Sequence, residues 1–124
     1  MIKVLLIEDN DVDAQLTQDL LSEWSTEEFQ VARATTLAEG LSLLSRERFD
    51  AMLLDLSLPD AFGLSTVREV HAASPTIPVV VLSGVSDQNL ALQAVRQGAQ
   101  DYLVKGQGHP ELLARAILYA IERK

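Results

Sequence analysis

Four places in this 124-residue sequence put a charged or hydroxylic side chain directly after an apolar run. Glu8 and Asp9 follow Ile2–Ile7, Asp55 follows Ala51–Leu54, Ser83 follows Pro78–Leu82, and Lys105 follows Tyr102–Val104. Each alone has a plain explanation as a turn former or helix cap, so the inference rests on their joint placement. Three carboxylates gathered at one edge repel one another unless some stay protonated or a cation is bound. An all-oxygen donor set with no His or Cys beside it suits Mg2+, or alternatively Mn2+. Lys105 adds an ammonium that pairs with Asp55 or with an incoming phosphoryl group, and Ser83 adds a hydroxyl donor. A carboxylate nucleophile, a hard cation, an ammonium and a hydroxyl are the components of phosphoryl transfer to a carboxylate. Asp55 is the expected nucleophile, since it stands alone at the end of its run.

These residues can meet only if the runs are neighbouring strands that point the same way. Five strand-sized apolar segments recur: Ile2–Ile7, Phe29–Ala34, Ala51–Leu54, Pro78–Leu82 and Tyr102–Val104. The first, third and fourth lack alternation, as expected for strands covered on both faces in a parallel sheet. Helix-period segments separate them. Val12, Leu16, Leu20, Leu21 and Trp24 form one stripe, and Thr36 with Glu39 reads as a capping box ahead of Leu37, Leu41 and Leu44. A third helix runs from Gly63 to about Ala73 with Leu64, Val67 and Val70 inward. A fourth is capped by Ser86 or Asp87 and stopped by Gly98, and a fifth has Pro110 at its first position and Leu113, Ala116, Ile117, Ala120 and Ile121 on one face. The expectation is a flavodoxin-like (βα)5 domain with a five-stranded parallel sheet of order 2-1-3-4-5 and helices on both faces. Ligands of such sheets bind beyond the carboxyl ends of the strands. The second strand ends at Ala34 and Thr35 without charge, which suits an edge strand.

Composition narrows the class. The length and the 48% hydrophobic content suit one domain spanning 1–124. There are no cysteines, and no apolar stretch is long enough for a signal peptide or membrane span, so a cytoplasmic location without membrane association is expected. A formal net charge of -8 disfavours direct nucleic-acid binding by this segment. Asp11, Asp13, Asp19, Glu23, Glu27 and Glu28 read as a solvated face. The last helix reaches Lys124 without a stop signal, so either it frays there or it continues into a longer chain.

The motifs resemble the receiver domain of two-component response regulators. The likeness runs from Val4-Leu5-Leu6-Ile7-Glu8-Asp9-Asn10 through Leu53-Leu54-Asp55-Leu56-Ser57-Leu58-Pro59-Asp60 and Gly63 to Pro78–Gly84 and Gly98–Lys105. It implies that Glu8 and Asp9 bind Mg2+ with Asp55 and the backbone carbonyl of Ser57. It also implies that Asp55 is phosphorylated, that Ser83 and Lys105 contact the phosphoryl group, and that Ser83 and Tyr102 act as the switch. The implied partners are a histidine kinase or histidine phosphotransfer protein, with an output domain or a second copy docking on the face made by helix 4, strand 5 and helix 5. One departure stands out, because Gly106 occupies the place where receivers usually carry a proline. The loop before the fifth helix is therefore expected to differ, with a trans Lys105–Gly106 bond or a rebuilt turn.

Three rival readings share some of these parts. A haloacid-dehalogenase-type phosphatase also uses a strand-end Asp, Mg2+, a hydroxyl and a Lys, but it normally places an acid/base Asp two residues after the nucleophile, where this chain has Ser57. A flavodoxin-like cofactor carrier needs a phosphate-cradling first loop, which Glu8-Asp9-Asn10-Asp11 would repel. An interaction scaffold with little phosphorylation is the third. Rapid turnover of phosphate esters would select the first, and a flavin-coloured preparation the second.

Overall fold

The computed structural model describes residues 1–84, 86–106 and 108–124. Strands and helices alternate: β1 Ile2–Ile7, α1 Asp11–Glu23, β2 Phe29–Ala34, α2 Leu37–Arg46, β3 Ala51–Asp55, α3 Leu64–Ala73, β4 Val79–Ser83, α4 Gln88–Arg96, β5 Asp101–Val104 and α5 Leu112–Arg123. All neighbouring strands pair in parallel, in the order β2-β1-β3-β4-β5. This is the doubly wound arrangement expected from the apolar runs.

The missing alternation in β1, β3 and β4 reflects two cores. Leu5, Ile7, Met52, Leu54, Val79 and Val81 enter one, together with Val67 and Val70 of α3 and Leu37 of α2. Val4, Leu6, Ala51, Leu53, Val80 and Leu82 enter the other, with Ala14 and Leu21 of α1 and Leu113, Ile117 and Ala120 of α5. Every residue of β3 and β4 is buried. Sealing each Val, Leu or Met side chain of these strands contributes about 1.5–3 kcal/mol, which fixes the strand ends and hence the side chains that follow them.

Helix starts follow the sequence signals with adjustments. Thr36 caps α2 by accepting from the Glu39 N–H at 3.1 Å, and the Glu39 carboxylate accepts from Thr35 N–H at 2.7 Å, one residue earlier than in the usual box. Asp87, rather than Ser86, caps α4, accepting from Asn89 and Leu90 at 2.9 and 3.3 Å. Gly98 ends that helix at φ +123°, where a Cβ would also strike the His71 ring. Pro110 is not the first residue of α5. It lies in a preceding turn closed by Leu112 N–H to His109 O at 2.9 Å.

The predicted stripe of α1 needs a larger correction. Val12, Leu16 and Trp24 are 68%, 56% and 49% exposed, and the helix buries Ala14, Thr17 and Leu21 instead. Thr17 can sit inside because its hydroxyl donates to Asp13 O at 2.8 Å, so the polar atom is satisfied within the helix. The small Ala14 and Thr17 then face the sheet.

Candidate functional site

The carboxyl ends of β1, β3, β4 and β5 meet at one edge. Glu8 continues the β1–β2 ladder with its N–H on Ala34 O at 2.9 Å, and its side chain is buried. Asn10 then turns the chain into α1 by accepting from Asp13 N–H at 2.9 Å. Asp9 faces solvent between them. Asp55 is the last residue of β3 and is buried, with its Oδ1 accepting from Ser57 N–H at 3.3 Å. One carboxylate oxygen from each of Glu8, Asp9 and Asp55 lies within 4.8 Å of the other two.

Lys105 enters this group from the end of β5. Its N–H donates to Ser83 O at 2.8 Å, which extends the β4–β5 ladder past the strands and fixes the base of both side chains. The ammonium lies 2.5 Å from Glu8 Oε1, 2.9 Å from Asp13 Oδ2 and 3.7 Å from Asp55 Oδ2. One positive charge thus serves three carboxylates, with a fourth, Asp9, beside them. Burial, together with a hydrogen bond to Asp55, pushes the Glu8 carboxyl up to about 7 against the opposing pull of Lys105. Burial works to lower the Lys105 ammonium, but its bonds to Glu8 and Asp13 and the charge of Asp55 overcome this and hold it above the usual lysine range.

The remaining predicted residues lie around this group. Ser83 is the buried last residue of β4. Ser57 is exposed and forms an isolated bridge with Phe62, so the loop after Asp55 closes on itself. Leu58 N–H to Ala61 O at 2.9 Å and Gly63 N–H to Leu56 O at 2.8 Å complete the closure. Tyr102 stands lower on β5, opposite Val81, half-buried against the core shared with α2 and α3. Gly106 takes φ +75°, and no cis peptide occurs among the described residues, so the turn after Lys105 is made by a left-handed glycine.

Three residues near the site were not singled out by the sequence reading. Asp13, assigned there to a solvated face, is an ion-pair partner of Lys105. Its signal was its place one helical turn after Asp9. Arg33, penultimate in β2, donates from Nε to Glu8 O at 3.0 Å and pairs through Nη1 with Asp11 at 2.9 Å. The edge strand therefore does contribute a charge, one that braces the β1–α1 turn. Asp60 caps α2 from the β3–α3 loop, accepting from Leu37 and Ala38 N–H at 2.8 and 2.9 Å. These bonds hold its carboxyl below the usual range.

A model of the response regulator receiver domain matches residues 4–117 of this chain. The chain belongs to that family. The cell cycle transcriptional regulator CtrA of Caulobacter vibrioides is 34% identical over 122 residues, which cover 98% of this receiver domain and 51% of CtrA. The transcriptional regulatory protein ZraR of Escherichia coli K12 is 31% identical over 104 residues, covering 84% of this chain and 23% of ZraR. The receiver chain thus spans about half the length of CtrA and under a quarter of ZraR. A response regulator receiver domain from Clostridium thermocellum superposes with a TM-score of 0.82 at 29% identity, covering 99% of this chain and 96% of that one.

Proposed function

We propose that this receiver domain accepts a phosphoryl group on Asp55 from a phosphohistidine of a histidine kinase or histidine phosphotransfer protein. The observation that carries the proposal is the setting of Asp55: a buried carboxylate with an ammonium at 3.7 Å and two further acids within 4.8 Å. In the transfer, an Asp55 oxygen bonds to phosphorus as the donor's P–N bond breaks, and the imidazole keeps the electron pair. Lys105 faces the acceptor and offers its ammonium to a phosphoryl oxygen, and Ser83 offers its hydroxyl from the neighbouring strand end.

The donor chemistry of Glu8, Asp9 and Asp55, with the carbonyl of Ser57, fits a hard divalent cation, because buried oxygen ligands that repel one another are relieved by positive charge. Such an ion, Mg2+ or Mn2+, would supply charge neutralisation for the phosphoryl group. Glu8 and Asp9 would hold it, and Arg33 steadies the turn that carries them.

Ser57 in the place of an acid/base supports storage of the group as a signal over hydrolysis of a substrate. The signal is read out on the face of α4, β5 and α5, where Leu92, Val95 and Tyr119 are half exposed and where an output domain or a second copy can dock. Ser83 and Tyr102 shift the population of that face when the charge at Asp55 changes. No described helix is long and apolar enough to cross a membrane, and the proposed partners place the domain in the cytoplasm.

Incubation with acetyl phosphate and Mg2+, followed by intact mass, tests the reading. Wild type gains one phosphoryl mass and Asp55→Asn gains none. Equal labelling of the two proteins, or rapid multiple turnover of small phosphate esters, would sink it.

A further inference from the structure

Lys105 is nearer to two other carboxylates than to the acceptor it faces. Its ammonium has three hydrogens to donate, and it lies at hydrogen-bond distance from Glu8 and Asp13 but 3.7 Å from Asp55. A charge-assisted N–H···O bond is about 2.7–2.9 Å long, so the lysine stops roughly 1 Å short of bonding Asp55. Asp13 holds the outer side of this arrangement. It sits in the first turn of α1, its own N–H is held by the Asn10 cap at 2.9 Å, and its side chain is about two-thirds buried. Its place on the helix is therefore set by the fold. Glu8 lies among the acids whose charge a divalent cation would offset, whereas Asp13 is outside the three-carboxylate group, so its hold on the lysine would persist once a metal is bound.

We propose that Asp13 is a positioning residue that competes with Asp55, and with a phosphoryl group on Asp55, for the ammonium of Lys105. Resting on the phosphoacceptor reading above, it acts as a brake on transfer. With Asp13 in place the lysine is held outward, and transfer must draw it inward as the Asp55–phosphorus bond forms and the donor leaves with its electron pair. Removing the charge of Asp13 while keeping its shape releases the lysine toward the acceptor.

The test is a double-mutant cycle on the full chain with acetyl phosphate and Mg2+, read as the rate of phosphoryl gain by intact mass. Asp13→Asn should accelerate labelling roughly fivefold, the scale of one partly exposed ion pair. Asp13→Glu should return the rate toward wild type, because a carboxylate still reaches the ammonium. In a Lys105→Met background, Asp13→Asn should change nothing. Slower labelling by Asp13→Asn, or equal acceleration with and without Lys105, overturns the proposal, since the first makes Asp13 a helper and the second makes it mere surface charge.

A readout that needs no phosphorylation separates this inference from the reading beneath it. The Lys105 ammonium, followed by nitrogen-15 NMR of its Nζ in the metal-free protein, should exchange its protons with water faster in Asp13→Asn than in wild type. Unchanged exchange removes the clasp even if Asp55 is phosphorylated. Protected exchange in a wild type that gains no phosphoryl mass keeps the clasp and removes only the acceptor role.

Discussion

The two loops that carry Asp55 and Lys105 are built on opposite plans. The loop from Asp55 to Gly63 is cross-braced: Ser57 bridges to Phe62, Leu58 bonds to Ala61, Gly63 bonds to Leu56, and Asp60 bolts the whole to the start of α2. Among the described residues of the turn after Lys105, Gly106 takes φ +75° and Gly108 φ +86°, both left-handed. A braced carboxylate therefore faces an ammonium that reaches it from a glycine turn and divides itself among three acids. The difference teaches that the fold specifies the position of the Asp55 carboxylate, while its counter-charge is set by competition among side chains.

Glu8 lies where the two loops meet, and its charge state gives the largest expected effect. Its carboxyl goes from an ordinary value of 4.5 in the unfolded chain to about 7 in the folded one. The folded protein thus holds the proton more tightly. The associated stability is complete below about pH 4.5 and is lost as pH rises through about 7, a swing of up to about 3 kcal/mol. Urea unfolding of metal-free protein should show a lower midpoint at pH 8 than at pH 5. Glu8→Gln should flatten this profile, and Mg2+ should stabilise wild type more at pH 8 than at pH 5. A midpoint that rises across the interval would contradict the burial cost placed on the ionised Glu8.

Replacing the counter-charge comes next. Lys105→Met should slow labelling of Asp55 by acetyl phosphate by roughly 100-fold without abolishing it, as for loss of one preorganised charge donor. Complete loss would mean that the two loops contribute equally to the reaction. The brace itself is broken by Asp60→Ala, which strips two backbone N–H groups of α2 of their acceptor and should lower the midpoint of chemical denaturation, as loss of a helix cap does. Its effect should shrink as pH falls through the acidic range where the Asp60 carboxyl takes up a proton. The smallest effect belongs to Gly106→Ala. No atom of the described residues beyond its chain neighbours lies within 4 Å of the added Cβ, so the expected penalty is that of the left-handed backbone, about 1 kcal/mol. A larger loss would show that this turn, too, is held by its surroundings.

Much of this arrangement was legible from the order of the residues. Runs such as Val79-Val80-Val81-Leu82 have no polar face, so they demanded cover on both sides, and the strand order then brought Glu8, Asp9, Asp55, Ser83 and Lys105 to one edge. The inward face of α1 was not legible, because Thr17 buries its hydroxyl by bonding within its own helix while Leu16 faces out. Nor was the role of Asp60, whose partners Leu37 and Ala38 lie 23 and 22 residues earlier. Side chains that reach sideways, such as Arg33 from β2 and Asp13 from α1, escape a reading confined to strand ends.

The outward turn of α1 has an optical consequence. Trp24 is the only tryptophan in the chain, and it stands half exposed at the carboxyl end of α1. Asp9 lies at the other end of that helix, about 20 Å away at 1.5 Å of rise per residue. Intrinsic emission will therefore report the water around the far end of α1 and stay nearly blind to a cation or phosphoryl group arriving at Asp55. A fluorescent titration of the pocket needs a reporter introduced beside it.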